Sequence, residues 1–219
     1  MQVSFILFLM VEMAMMSVKQ GSERPSKEMD KSRVTHVCPV WVGYLLLSPL
    51  RKLAQNPRKL LAPHIHRGMT VLDVGCAMGF YSLPMARLVG PEGRVLCSDI
   101  QEAMLRKLEK RARKAGLVER ITSCLASESS LELSKFEGRV DFALAFAVVH
   151  EVPHQEPFSE QVFRALRGGG RGKLLISEPR GHVSKKSFES MVKLTEGIGF
   201  EVMDHQKIGW SRSVLLRKP

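Results

Sequence analysis

The sequence predicts an α/β fold: a doubly wound, mostly parallel seven-stranded sheet with helices on both faces and a short N-terminal helical extension. Three observations predict it. Apolar runs of strand length alternate with helix-period segments from residue 70 onward. The run Val71-Leu72-Asp73-Val74-Gly75-Cys76-Ala77-Met78-Gly79-Phe80 reads as a buried strand, a glycine turn and the first turn of a helix. An acid, Asp99, then closes the next strand, about 20 residues beyond Gly79, the spacing at which such domains grip a ribose.

The elements follow in chain order. Residues 1–33 are expected to lie outside the fold as a weakly helical or disordered leader, with Met29 as an alternative start. Their apolar stretches, 5–11 and 13–16, are split by Glu12 and are too short to span a bilayer. They also lack the basic start and small-residue cleavage site of a signal peptide. Residues 34–66 predict a helical cap of one or two short helices. Val40, Trp41, Tyr44, Leu45 and Leu47 precede Pro49, and Leu50, Leu53, Leu60 and Leu61 surround Asn56-Pro57. The main domain is expected over 67–219.

Within that domain strands are predicted at 70–74, 94–98, 121–125, 140–149, 173–177, 200–204 and 213–217. The stretch 140–149 is an almost unbroken apolar run, as a parallel strand covered on both faces requires. A helix over 80–89 stops before Gly90-Pro91. Another, over 101–115, carries Met104, Leu105, Leu108, Ala112 and Ala115 in one stripe and ends at Gly116, a usual residue just past a helix. Helices over 156–166 and 185–197 complete the alternation, with Gly168-Gly169-Gly170 between them and a turn near Gly209 dividing the last two strands. Right-handed crossovers gather Asp73, Gly75, Asp99 and the residues after Val149 on the carboxyl edge of the sheet.

Composition bounds the function. The apolar fraction is 44% and the charged fraction 25%, ordinary for a soluble domain. Net charge is +11, from 33 basic and 22 acidic side chains, which favours polyanions or anionic small molecules. No stretch interleaves aromatic and basic residues as a single-strand binding platform does, so nucleic acid is the less favoured partner. Arg106, Lys107, Lys110, Arg111, Arg113 and Lys114 on helix 101–115 read first as a solvated face. The four cysteines form no C-x-x-C pair, which argues against a zinc or redox site and for a reducing cytoplasm. No metal is expected.

The glycine pattern selects among nucleotide ligands. A dinucleotide site needs glycines at 77 and 80, where this chain has Ala77 and Phe80. An NAD-dependent oxidoreductase is therefore disfavoured. The pattern present is D-x-G-x-x-x-G. An acid at that strand end suits a ligand that carries a cation and no phosphate, such as S-adenosylmethionine, whose ammonium Asp73 would bind. Gly75 and Gly79 are expected to clear the path of its methionine half, and Asp99 to accept both ribose hydroxyls.

These residues resemble the class I S-adenosylmethionine-dependent methyltransferases, above all the small-molecule type with the ubiquinone/menaquinone C-methyltransferase layout. The resemblance runs over residues 60–216. It implies S-adenosyl-L-methionine as cofactor, S-adenosyl-L-homocysteine as product and in-line methyl transfer to a small-molecule acceptor. By that resemblance Asp73, Gly75, Cys76, Ala77 and Gly79 form the cofactor loop, Asp99 holds the ribose and Ile100 lies beside the adenine. Ser127 and Glu128, after the third strand, flank the adenine, and Phe146 closes the fourth strand on the same edge. Leu166-Arg167-Gly168-Gly169-Gly170 resembles the family's turn into strand five, with Gly168 in place of proline. Ala77 departs from the glycine often found there. The Asn/Asp-Pro-Pro-aromatic motif of enzymes that methylate base amino groups is missing after strand four.

Candidate catalytic residues are His150, as a base, and Glu151, orienting it or meeting a cationic substrate. An equally weighted reading has His150 capping the next helix or packing under the cofactor. His154 is a weaker candidate. His36, Cys38, Trp41 and Tyr44 in the cap, and Glu178 and Arg180 in a loop after strand five, are candidate substrate contacts. The alternatives to a small-molecule enzyme are an RNA or protein methyltransferase using the basic surface, or a catalytically silent S-adenosylmethionine-binding module.

Overall fold

A computed structural model describes residues 55–219. The leader 1–33 and most of the expected cap, with His36, Cys38, Trp41 and Tyr44, lie outside the described residues. The described part of the cap is one short helix, α1 (Pro57–Leu61), whose start is fixed by its sequence. The Asn56 side chain accepts the backbone N–H groups of Arg58 and Lys59, and Pro57 supplies a first residue that needs no amide partner.

The remaining elements alternate as the periodicity requires. They are β1 (Thr70–Val74), α2 (Ser82–Val89), β2 (Arg94–Asp99), α3 (Glu102–Lys114), β3 (Ile121–Leu125), β4 (Phe142–Phe146), α4 (Gln155–Ala165), β5 (Lys173–Pro179), α5 (Lys185–Ile198), β6 (Glu201–Asp204) and β7 (Ser211–Arg217). They build one seven-stranded sheet in the order β3-β2-β1-β4-β5-β7-β6. β1 pairs in parallel with both β2 and β4, so the strand order reverses there and opens a crevice at the carboxyl edge. The antiparallel strand is β7, which inserts between β5 and β6.

Side chains alternate across the strands and feed two cores. Leu72, Leu96, Ala143, Leu174 and Leu216 face α4 and α5, meeting Phe158, Val162 and Phe188. Val71, Val95, Leu144, Leu175 and Leu215 face α1, α2 and α3, meeting Leu61, Met85 and Leu108. This is the doubly wound arrangement that the sequence predicts.

Two of the boundaries that differ from expectation bear on the site. The apolar run 140–149 is not all strand. β4 stops at Phe146, Ala147 adopts a left-handed φ of 55° and Val149–Glu151 forms a short 3-10 turn. Conversely β5 continues past Ser177 to Pro179, because β7 pairs with it along its whole length, from Lys173↔Arg217 to Pro179↔Ser211. Glu178 is therefore a strand residue, not part of a loop.

Candidate active site

The turn after β1 is held mainly by backbone. Ser98 carbonyl accepts the N–H groups of Gly75 (2.9 Å) and Cys76 (3.2 Å), tying the loop to the end of β2. Gly75 and Gly79 have φ of 66° and 80°, which L side chains rarely adopt. A Cβ on Gly75 would lie 2.6 Å from Val148 Cγ2, and one on Gly79 would overlap Leu108. The demand for glycine thus comes from the protein's own packing, a nearer cause than clearance for a ligand. The Arg111 guanidinium, from α3, donates to the Met78 carbonyl. Phe80 is buried and packs edge-on against Tyr81, with 4.9 Å between ring centres, which fills the space a third glycine would leave.

Ala77 is the loop residue under conformational strain, with a φ of 46°. An L residue in that region costs roughly 1 kcal/mol relative to glycine, partly offset by glycine's greater freedom when unfolded. Ala77→Gly is expected to leave the fold equally or slightly more stable, by up to about 1 kcal/mol in urea unfolding. A loss of more than that would mean that the Ala77 methyl group packs usefully.

Asp99 joins the loop to the strand end. Its Oδ2 accepts the Ala77 N–H and its Oδ1 the Gln101 N–H, both at 2.8 Å. Burial raises its pKa, while those two bonds oppose the rise. A carboxylate offers about four lone-pair sites, so two backbone bonds leave acceptor capacity for hydroxyl donors. Beside it Ile100 and Leu125, at the ends of paired strands, are 46% and 49% exposed. An acid with spare acceptor capacity next to two exposed apolar side chains fits the ribose and purine of an adenosyl group. Cys76 is buried behind the loop. Glu128 is exposed, and Ser127 forms a local turn in which its Oγ accepts the Ser130 N–H at 3.0 Å.

Asp73 is less open than the sequence implies. It is 2% exposed and accepts the Ser82 hydroxyl at 2.5 Å. Burial pushes its pKa up to about 7, helped by the nearby Asp99 and opposed by the Ser82 bonds. A pKa near 7 leaves the carboxyl free to ionise where a cation meets it.

His150 lies in the turn after β4, with its ring packed edge-on to His182 at 5.4 Å between centres. Its orienting acid is Glu178, not Glu151. Glu178 is 1% exposed; Oε2 lies 2.5 Å from His150 Nδ1, and Oε1 accepts the Val149 N–H at 2.8 Å. Glu151 Oε1 lies 4.0 Å from His150 Nε2, and the Glu151 side chain is 42% exposed. Glu178 was expected to be a loop residue touching substrate; β5 runs two residues further and buries it. No local signal marks this extension, since Ser177 and Pro179 are both common turn residues. His154 only precedes α4 and gives that helix no side-chain cap.

Further contacts involve Arg180 and Tyr81. The Arg180 guanidinium lies 5.6 Å from the centre of the Trp210 ring, and its Nε donates to the Ser211 carbonyl at 3.4 Å. Tyr81, which no sequence motif marks, packs its ring on Phe146 at 4.8 Å. It lines a cleft of about 130 Å³ with Gln55, Asn56, Leu60, Ile208 and Gly209. On α3, Arg106 pairs with Glu102 and Arg113 with Glu109, each at 2.6 Å, and Arg111 serves the loop. The basic helix is thus partly neutralised. Among the described residues, no group of three or more His, Cys, Asp or Glu side chains could hold a metal ion.

A family model described as a methyltransferase domain matches residues 65–214, which include this whole edge. The chain belongs to that family. It is 30% identical over 145 residues to the ubiquinone/menaquinone biosynthesis C-methyltransferase UbiE of Yersinia pestis; the match covers 66% of this chain and 54% of that protein. The chain therefore spans about half the length of the curated relatives it matches. A SAM-dependent methyltransferase from Aquifex aeolicus has the same fold, with a TM-score of 0.74 and 24% identity, covering 84% of this chain and all of that one. The [4+2]-cyclase SpnF also shares the fold, with a TM-score of 0.64 and 18% identity over 78% of this chain and 84% of that one. A methyltransferase-type fold therefore does not by itself fix the reaction. No described helix is long and apolar enough to cross a membrane.

Proposed function

We propose that this methyltransferase-family protein transfers a methyl group from S-adenosyl-L-methionine to a small organic acceptor, with S-adenosyl-L-homocysteine as the second product. The observation that carries the reading is Asp99, locked by the Ala77 and Gln101 amides beside exposed Ile100 and Leu125 at the β1–β4 crevice. Asp99 would hold the ribose, Ile100 and Leu125 the purine, and the Gly75–Gly79 loop the amino-acid half, with Ser127 and Glu128 at the adenine rim. When bound, the cofactor supplies a methyl carbon made electrophilic by its sulfonium, which leaves as a neutral thioether. The protein's task is then alignment and, for a protonated acceptor, proton removal. In this reading His150 and the Tyr81–Phe146 pair would line the acceptor side of that edge.

A small-molecule acceptor is supported by the named chemistry of the UbiE relatives and by the partial neutralisation of α3, which weakens an RNA-binding reading. Buried, unpaired Cys76, Cys97 and Cys124 suit a reducing cytoplasm. Calorimetry with S-adenosylmethionine, S-adenosylhomocysteine and NAD tests the cofactor. Binding of the first two alone is expected, and binding of NAD alone would overturn the reading. A metabolite screen that follows S-adenosylhomocysteine release then identifies the acceptor. Against that acceptor His150→Ala is expected to lower turnover by about 10²- to 10⁴-fold with cofactor affinity intact. Lost cofactor affinity in that variant would instead assign His150 to packing.

A further inference from the structure

We propose that Glu178 is the positioning residue that makes His150 a base, its carboxylate keeping the proton on Nδ1 so that Nε2 takes the proton of an acceptor that arrives protonated. The inference rests on the proposed methyl transfer and names the acceptor class: a hydroxyl, thiol or carbon acid, in contrast to an acceptor with an available lone pair, which needs no base.

Backbone pairing sets the two residues side by side. Phe146 is in register with Ser177, so the end of β4 and the next residue of β5 are neighbours. The Ala147 N–H goes to the Ser177 carbonyl at 2.8 Å, and the chain then turns, placing Val149 and His150 over Glu178. Both Glu178 oxygens are engaged there, one by the Val149 amide and one by the imidazole. An ionised carboxylate only accepts. A carboxylic acid is also ordinarily more acidic than an imidazolium, so the shared proton belongs to Nδ1. Glu178 thus fixes the tautomer, and its charge stabilises the imidazolium that forms when Nε2 gains a proton.

The titratable groups facing the ring among the described residues are Glu178 from β5, Glu151 from the same turn and His182 from the following loop. Arg212, opposite Glu178 on β7, directs its guanidinium to the Val183 carbonyl at 2.9 Å. Glu178 is thus the buried acid that can control the ring, while Glu151 is open to screening by solvent.

The step balances. The acceptor X–H gives its proton to Nε2 and keeps the bonding pair. That pair forms the X–CH₃ bond while the C–S pair withdraws to sulfur, and the imidazolium later releases its proton to water.

The test needs no acceptor. Two-dimensional ¹H–¹⁵N spectra of the histidine rings, with His150 assigned by its disappearance in His150→Gln, report tautomer and titration midpoint. In the unmodified protein the His150 ring is expected to carry its proton on Nδ1, with Nε2 bare, at pH above its midpoint. In Glu178→Gln the midpoint should fall by about 1–2 pH units, while Glu178→Asp retains most of it. A bare Nδ1 in the unmodified protein, or an unchanged midpoint in Glu178→Gln, overturns the proposal. The tautomer reading stands even if Glu178→Gln does not fold. Failure of S-adenosylhomocysteine to bind would strike the proposed activity instead, and the ring spectra would still decide the role of Glu178 independently.

Discussion

Replacing Asp99 with alanine is expected to weaken S-adenosylhomocysteine binding by at least about 100-fold. Bonds between neutral donors and a charged acceptor contribute roughly 1.5–3 kcal/mol each, and every 1.4 kcal/mol is a factor of ten in affinity. Two ribose hydroxyls therefore account for two orders of magnitude or more. A second loss adds to the first. Asp99 also satisfies the Ala77 and Gln101 amides, so its removal loosens the loop as well as the ligand contact. Asp99→Asn retains an acceptor oxygen and should fall between the two. Isothermal calorimetry, on variants shown by circular dichroism to be folded, measures all three. Affinity within threefold of the unmodified protein in Asp99→Ala would remove Asp99 from the cofactor site.

Asp73→Asn is expected to change how stability depends on pH. The folded-state pKa of Asp73 is raised from the ordinary carboxylate value of 3.8 to about 7, chiefly by burial. The native state therefore binds this proton more tightly than the unfolded chain does. The associated stability is complete below the unfolded pKa and is lost as pH rises through the folded one. Between about pH 4 and about pH 8 this removes roughly 4 kcal/mol from the unmodified protein. Asparagine does not titrate. Relative to the unmodified protein, the variant should gain stability by that order as pH rises. The unpartnered amide N–H it introduces costs about the same at both pH values, so the slope is diagnostic even where absolute stabilities differ. Parallel urea-unfolding curves for the two proteins across this range would show that Asp73 ionises without cost. The same titration bears on binding. If a ligand ammonium reaches Asp73 it will favour the anion, and calorimetry near pH 7 in buffers of different ionisation enthalpy should then show up to about half a proton released.

Much of the architecture was legible because its signals are local. Periodicity places α2 to α5 and all seven strands within a few residues. The break at Gly90-Pro91 and the stop at Gly116 arise from backbone preferences that need no partner. Ala77 and Phe80 argue against a dinucleotide loop for reasons carried by two side chains. The ends of β4 and β5 were less legible. An apolar run such as 140–149 does not distinguish a strand from a buried turn. The length of β5 depends on its pairing with β7, more than thirty positions away. Trp210 and Tyr81 carry no local signal because their partners, Arg180 and Phe146, are distant in sequence.

The sequence alone determined which loop and strand-end residues meet at the β1–β4 edge. D-x-G-x-x-x-G and Asp99 lie on consecutive βα units, whose handedness puts them on one edge whatever else the chain does. Only the tertiary structure decided the charge and partnership of the acids. Burial, against the opposing Ser82 bonds, pushes the Asp73 pKa up to about 7, a property of its surroundings and not of its position. Pairing of β4 with β5 brings Glu178 beneath His150 across 28 residues, displacing the adjacent Glu151 as the acid that orients the ring. Sequence neighbours share a chain, but hydrogen bonds require side chains that point at each other, and in a sheet that is settled by register.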